Sequence, residues 1–415
     1  MLQIIQSKTY FQNTQIIMKI INETLKKGQY LEEILTEIPT NTILKKRVTG
    51  CGATTLEIKN KTRNSIIIEP NVPVIEGKKK KYPQILCAVK EGVDAEDIMD
   101  YIQTHKGYKK IMTTPESFPK VIKAMDNLGI NYYKDYMLLF DECDKIIKDN
   151  DFRRTIMLPI EDFFLFQHKA LVSATPIIPT DPRFEQQGFE ILEVQPNYDY
   201  KKNIQLVTTN NVVAIFRQIL EQIKPEDQVC FFINKTDMIQ AIIEKFDLKK
   251  ESKIFCSDRS VENLKKEGYK NAYHQLQKFA KYNFFTSRFF SAVDIEIKEK
   301  PVIVIVTDLF NSDFTMIDPK TEAIQIIGRF RNGHGKILHI ANCNYRINKR
   351  NKNELLNYLE GCEDTYNILK KLKENATSEG AKDTLTEVLE KIFYAQFINK
   401  DGSKNYFNVD NWIDI

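Results

Sequence analysis

Leu138-Leu139-Phe140-Asp141-Glu142-Cys143-Asp144 is an apolar run that ends abruptly in acids. One carboxylate at such a strand end can hold Mg²⁺, and its neighbour can take the proton of an attacking water. That pairing suits phosphoryl transfer, a reaction governed mainly by position and electrostatics. Open α/β sheets bind ligands at the carboxyl ends of their strands, so the location fits the chemistry. The complementary element is a turn that receives phosphate. Val48-Thr49-Gly50-Cys51-Gly52-Ala53-Thr54-Thr55-Leu56-Glu57 lies where a strand should hand over to a helix, and such a turn can aim backbone N–H groups at an anion. Measured against G-x-x-x-x-G-K-[ST], Gly52 and Thr54 fit, while Arg47 stands at the first glycine and Ala53 at the lysine. Further on, Ser173-Ala174-Thr175-Pro176 closes another apolar run, which alone is an ordinary Ser/Thr turn.

These groups need a sheet to hold them. From residue 43 onward, short apolar runs rich in β-branched residues alternate with helical stretches: Ser65–Ile68, Ile85–Val89, Lys110–Met112, Tyr136–Phe140 and Ala170–Val172. Continuous apolar strands separated by helices imply a parallel sheet covered on both faces. The chain turns polar between Pro196 and Lys202, and a second series follows with Ile204–Val207, Val229–Ile233, Lys253–Phe255, Val302–Val306 and Ile337–Ile340. Residues 1–40 show apolar residues at three- and four-residue spacing and are expected to form an accessory helical segment. After residue 348 the same spacing returns, with a break at Asn375–Gly380, and implies a helical tail. The expected division is 1–40, 41–200, 201–347 and 348–415.

Composition adds exclusions. The 415 residues with 42% hydrophobic content suffice for two or three ordinary cores, which excludes disorder as the main state. A formal net charge of +4 says little about partners, so any basic surface is local. Seven scattered cysteines, none in a Cys-x-x-Cys pair, suit neither a disulfide framework nor a zinc knuckle, and a reducing cytoplasm is expected. No signal peptide or membrane span is read, and the five histidines have no ligand spacing. Asn-, Ile- and Lys-rich usage suggests a bacterial, phage or mobile-element origin.

Order and spacing join the motifs. The sequence resembles the superfamily two helicases and their DEAD-like translocase relatives, with the turn at 48–57 as the P-loop, Ile68-Glu69-Pro70 as motif Ia, Thr114-Pro115-Glu116-Ser117 as Ib, Asp141-Glu142-Cys143-Asp144 as II and Ser173-Ala174-Thr175 as III. Val229 to Asn234 matches motif IV, Val304 to Leu309 matches V, and Gln325-Ile326-Ile327-Gly328-Arg329-Phe330-Arg331-Asn332-Gly333 matches VI, the most specific block. The resemblance spans residues 48–340 and implies two tandem RecA-like α/β domains with helical additions at both ends. It implies ATP and Mg²⁺ as cofactors, held by Gly50, Cys51, Gly52, Ala53, Thr54, Thr55 and Gln325. Thr54 and Asp141 fall to the metal, Glu142 to the general base, and Arg329 and Arg331 to arginine fingers. By the same resemblance a nucleic-acid strand lies on motifs Ia, Ib and V, through Pro70, Thr114, Pro115 and Thr307. DNA is expected ahead of RNA, with a replication or recombination protein as partner and no membrane association.

The departures from the pattern divide the function. Ala53 removes the cation that meets the β- and γ-phosphates; Lys45, Lys46 or Arg47 could replace that charge, but the three are read as solvated. Motif V is irregular over Asn311–Thr315. Retention of Asp141, Glu142, Thr54, Gln325 and both arginines favours an ATP-dependent helicase or translocase. Ala53 favours a helicase-like module that binds nucleic acid or a partner without turnover. Lys59, Lys61, Arg63, Lys78–Lys81 and Lys349–Lys352 offer electrostatic contact to a strand. The aromatic cluster Phe284–Phe290 is read as core, and the run around Glu296 as charged surface.

Overall fold

The structure is a computed structural model and describes residues 18–150, 153–291, 293–343 and 350–414. Two sheets, parallel at every pairing, organise it. The first contains β1 (Ile20–Leu25), β2 (Thr42–Lys45), β3 (Asn64–Ile68), β4 (Leu86–Val89), β5 (Lys110–Thr113), β6 (Tyr136–Asp141), β7 (His168–Ser173) and β8 (Glu190–Pro196), in the order β1-β8-β2-β7-β6-β3-β5-β4. The second contains β9 (Gln205–Thr208), β10 (Val229–Phe232), β11 (Ser252–Phe255), β12 (Ala272–Tyr273), β13 (Tyr282–Phe285), β14 (Val302–Thr307) and β15 (Ile337–Ala341), in the order β12-β11-β13-β10-β14-β15-β9. Helices or helical turns lie between most consecutive strands, with β12 running to β13 and β8 to β9 without one.

Apolar runs become strands here because successive side chains enter opposite faces and both faces are covered. Ile66, Ile68, Leu138 and Phe140 pack into one layer of the first domain, while Ile67, Met137 and Leu139 pack into the other. In the second domain Phe231, Phe284 and Val304 enter one layer, and Phe232, Phe285 and Ile303 its opposite. Phe284, Phe285, Phe289 and Phe290 are all buried, as expected of core residues. Register fixes the functional edge. Lys45 pairs with Ser173 and Val172 with Asp141, so β2, β7 and β6 end level with one another.

The N-terminal expectation is corrected in part. Where a helical segment is expected, Ile20–Leu25 forms a strand that pairs with β8, so the first sheet begins before residue 41. The six residues alternate in burial, with Ile21, Glu23 and Leu25 turned inward, and that two-residue period overrides the weaker helical spacing. Expectations for residues 1–17 and for Lys349 lie outside the described residues. The C-terminal tail is helical, as expected, over Lys352–Glu374, Glu379–Lys391 and Tyr406–Asp414. Although it follows the second sheet in sequence, its last helix packs on the first domain. Phe407 enters that domain's core, Asp410 accepts from Thr180 N and Oγ1 at 2.8 and 2.6 Å, and Asn411 Nδ2 donates to Ile147 O at 2.7 Å.

Candidate nucleotide site between the two sheets

The turn after β2 is shaped by backbone that favours glycine. Gly50 and Gly52 have φ of +75° and +94°, and the helix Ala53–Lys59 begins immediately after Gly52. That helix starts Thr54 toward the end of β6, where its hydroxyl donates to Asp141 Oδ2 at 2.5 Å. Cys51 and Ala53 are buried beneath the turn, and burial pushes the Cys51 thiol up. Thr55 accepts from Lys78 Nζ at 2.8 Å. The expected members of the loop therefore assemble around the acidic strand end.

Asp141 is fully engaged. Its Oδ1 receives Lys46 Nζ at 3.3 Å and the Glu142 backbone N–H at 3.0 Å. Burial alone would raise its carboxyl, but Lys46, the Thr54 hydroxyl and that N–H hold it below the ordinary aspartate value. Glu142 has φ of +49°, a left-handed conformation that costs a non-glycine residue about 1–2 kcal/mol and aims its side chain away from the strand path. Asp144 accepts from Ser173 Oγ at 2.6 Å, which joins the acidic loop to the Ser-Ala-Thr turn, and burial raises its carboxyl to about 6 against the nearby Lys148 ammonium. Glu69 completes a buried acidic group, its carboxyl raised to about 8 by burial and then by the charges of Asp141 and Glu142.

The second domain closes the site. Gln325, on the helix Glu322–Gly328, donates from Nε2 to Glu142 Oε2 at 2.9 Å, and its Oε1 accepts from Arg329 Nη2 at 2.9 Å. Thr49 Oγ1 donates to Gly328 O at 3.2 Å, and the Arg331 guanidinium lies so close over Gly50 that any side chain there would collide with it. Asp294 holds both arginines, at 2.7 Å from Arg331 Nη2 and 3.8 Å from Arg329 Nη1. Lys148 reaches across to Thr321 and Asp318.

Two members of this arrangement escape sequence reasoning. Lys46, expected to be solvated, is buried between Asp141 Oδ1 and Glu142 Oε1 at 3.3 and 3.7 Å. Burial would lower its ammonium, but the two carboxylates hold it well above the ordinary lysine range. Lys45 and Arg47 instead pair with Glu193. Asp294 sits in a stretch read as plain charged surface. No spacing rule marks it, since its partners arrive from a helix end more than thirty residues later.

The four positions expected to touch a nucleic-acid strand keep their side chains inside the fold. Pro70, Thr114, Pro115 and Thr307 are all buried. Thr114 Oγ1 accepts from Ser117 N, and Thr307 Oγ1 meets His339 Nε2 at 3.0 Å and accepts from Ile317 N. Their side chains are used internally and do not form a surface. Lys78–Lys81 is the last turn of the helix Val72–Lys81, with Lys79 on the carbonyls of Pro83 and Leu86. Lys59 and Arg63 pair with Glu32 and Glu57.

Two parallel sheets of eight and seven strands, meeting at a cleft lined by the glycine turn after β2, the acidic strand end and the helix that leads into Arg329, define two tandem RecA-like domains. The chain has the fold of the DEAD-like superfamily two helicases. Among solved structures it is similar to the DEAD-box helicase Mss116 bound to single-stranded RNA and UDP-BeF, with a TM-score of 0.50, 12% identity and 90% of each chain covered. It is also matched with S. cerevisiae Dbp5 bound to RNA and ADP BeF3, with a TM-score of 0.45, 15% identity, and 78% of this chain and 83% of that one covered. No protein-family model matches the sequence, and neither does any curated protein. Among the described residues no helix is long and apolar enough to cross a membrane.

Proposed function

We propose that the chain is an ATP-dependent helicase or nucleic-acid translocase whose two domains bind ATP and Mg²⁺ between them. The observation that supports it most is the bridge from Glu142 through Gln325 to Arg329, since it links the base of one domain to the finger of the other through hydrogen bonds of 2.9 Å. The site's chemistry suits the cofactors. Thr54 Oγ1 and Asp141 Oδ2 are two oxygens already in contact at a strand end, and the described residues assemble no larger group of metal-ligating side chains, as fits an ion held largely by phosphate and water. Mg²⁺ bound with the triphosphate would supply Lewis-acid polarisation of the phosphoryl oxygens.

The residues then divide the work. Residues 50–55 would receive the phosphates, and Asp141 with Thr54 would hold the metal. Gln325 fixes Glu142 Oε2, and Oε1, which faces Lys46 Nζ at 3.7 Å, would take a proton from the attacking water. Arg329 and Arg331 act on the charge that develops on the transferred phosphoryl group. A nucleic-acid strand would lie along the carboxyl edges of the sheets, its phosphates met by backbone groups near Pro70, Thr114, Pro115 and Thr307 rather than by their buried side chains. DNA and RNA both need assay, because the RNA bound to Mss116 belongs to that protein.

Glu142→Gln should preserve nucleotide binding and abolish turnover in an ATPase assay with single- and double-stranded DNA and RNA. Wild-type turnover by this variant would remove the assignment. Ala53 favours the second reading, a module that binds nucleic acid without hydrolysis, and a wild-type chain that binds ATP and strand yet never hydrolyses would establish it.

A further inference from the structure

Replacing the P-loop lysine by Ala53 leaves the start of the helix without a cation, yet a lysine stands beside the same carboxylates. Lys46 follows β2, and β2 lies two strands from β6, with β7 between them. Neighbouring strands are about 4.8 Å apart, so the ammonium reaches Asp141 by passing the end of β7. Lys46 N donates to Ser173 O, which fixes the direction of departure. The stem is buried and only 7% of the side chain is exposed.

The crossing places the ammonium on Asp141 Oδ1, while the other oxygen of the same carboxylate takes the Thr54 hydroxyl. One carboxylate thus separates the charge from the first turn of the helix that lacks its lysine. Its partners at 3.3 and 3.7 Å are long, since charge-assisted contacts usually close to about 2.7–2.9 Å. The ammonium therefore keeps donor capacity for a third anionic group. The adjacent cations do not share this position, because Lys45 and Arg47 both turn to Glu193. Lys78 also reaches the loop, but it ends on the Thr55 hydroxyl and makes no ion pair among the described residues.

We propose that Lys46 replaces the missing P-loop lysine and neutralises the β- and γ-phosphates of ATP from the strand end instead of the helix start. This rests on the ATP-binding reading above. Chemically it places one cation beside two buried carboxylates, Asp141 and Glu142, at a turn whose other cations are Lys78 on Thr55 and the Arg331 guanidinium over Gly50.

The test is calorimetric binding of ATP, ADP and adenosine, with Mg²⁺, to the wild type, Lys46→Met and the charge-matched control Lys45→Met. Loss of one desolvated charge contact predicts ATP affinity lower by roughly 30-fold or more in Lys46→Met, with adenosine changed little and Lys45→Met unchanged. ATP affinity within about 2-fold of wild type, or an equal loss for ATP and adenosine, would overturn the proposal. Should Lys46→Met fail to fold, Ala53→Lys in the otherwise wild-type chain decides. With Lys46 already in place a second cation gains little, whereas a gain of roughly 30-fold would show that the site lacks one. A wild-type chain that binds no ATP at all removes the ATPase reading, and this proposal with it, whereas a wild type that binds ATP as tightly as Lys46→Met leaves that reading intact.

Discussion

Gln325→Ala tests whether the bridge across the cleft sets the closed arrangement of the two domains. The glutamine is buried and makes two hydrogen bonds, but only the bond from Nε2 to Glu142 crosses between domains. The bond to Arg329 lies within the second domain, four residues along one helix. A hydrogen bond to a charged group contributes about 1.5–3 kcal/mol, so loss of the crossing bond should shift the closed-to-open ratio by roughly 10- to 150-fold. Thr49 with Gly328 and Lys148 with Thr321 remain, which sets a floor on closure. Single-molecule energy transfer between dyes on the two domains should show the open population rising by that factor without nucleotide. Strand-stimulated ATPase should fall in parallel, because Glu142 loses its orienting partner at the same time. An unchanged distance distribution with an unchanged rate would refute the bridge as the determinant of closure. A changed distribution with a normal rate would refute its role in positioning Glu142.

Arg329→Ala or Arg331→Ala should cut stimulated ATPase by ~10³–10⁵ while leaving the salt dependence of strand binding nearly unaltered, because neither arginine would contact a strand phosphate. Normal hydrolysis by both variants would end the finger assignment. A pH effect is expected at the tail. Burial raises the Asp410 carboxyl to about 7 despite the hydrogen bonds from Thr180, so the folded chain keeps a proton that the unfolded chain releases near 3.8. The stability contributed by this group is present below the unfolded value and is lost as pH rises through the folded one. Asp410→Asn cannot ionise, and its thermal midpoint relative to wild type should climb between about pH 4 and pH 7 and level off above; a constant difference would contradict this.

Strand-forming runs were legible wherever both faces of a sheet are buried, because continuous Ile, Leu and Val segments leave no other economical fold. The turn, the acidic strand end and the arginine block were legible from type and order. What escaped depends on distances between segments remote in sequence. Lys46 stands in a row of three cations, and nothing local says which one crosses a strand and which two turn to Glu193. Asp294 acquires its meaning only from Arg329 and Arg331. Ile20–Leu25 carries a period of two and a period near four at once, and pairing with β8 decides between them. Motif positions such as Thr114 and Thr307 were legible as positions, but burial decided that their hydroxyls serve partners inside the fold, Ser117 N for one and His339 with Ile317 N for the other.

The docking of the last helix changes what kind of mechanism the chain can be. With a single polypeptide linker near residue 200, two lobes would behave as beads on a string, free to rotate through most orientations. Because the chain passes through the second lobe and returns to clasp the first through Phe407, Asp410 and Asn411, the connection becomes a closed loop with two tethers. A clasp of that kind acts at the mM-order local concentration of an intramolecular partner and stays engaged even where its intrinsic affinity is weak. The remaining freedom is that of a jaw rather than a swivel. The clasp grips the first lobe at the helix Asp144–Lys148, directly beyond Asp141 and Glu142, so the second tether ends beside the acidic strand end that faces the other lobe.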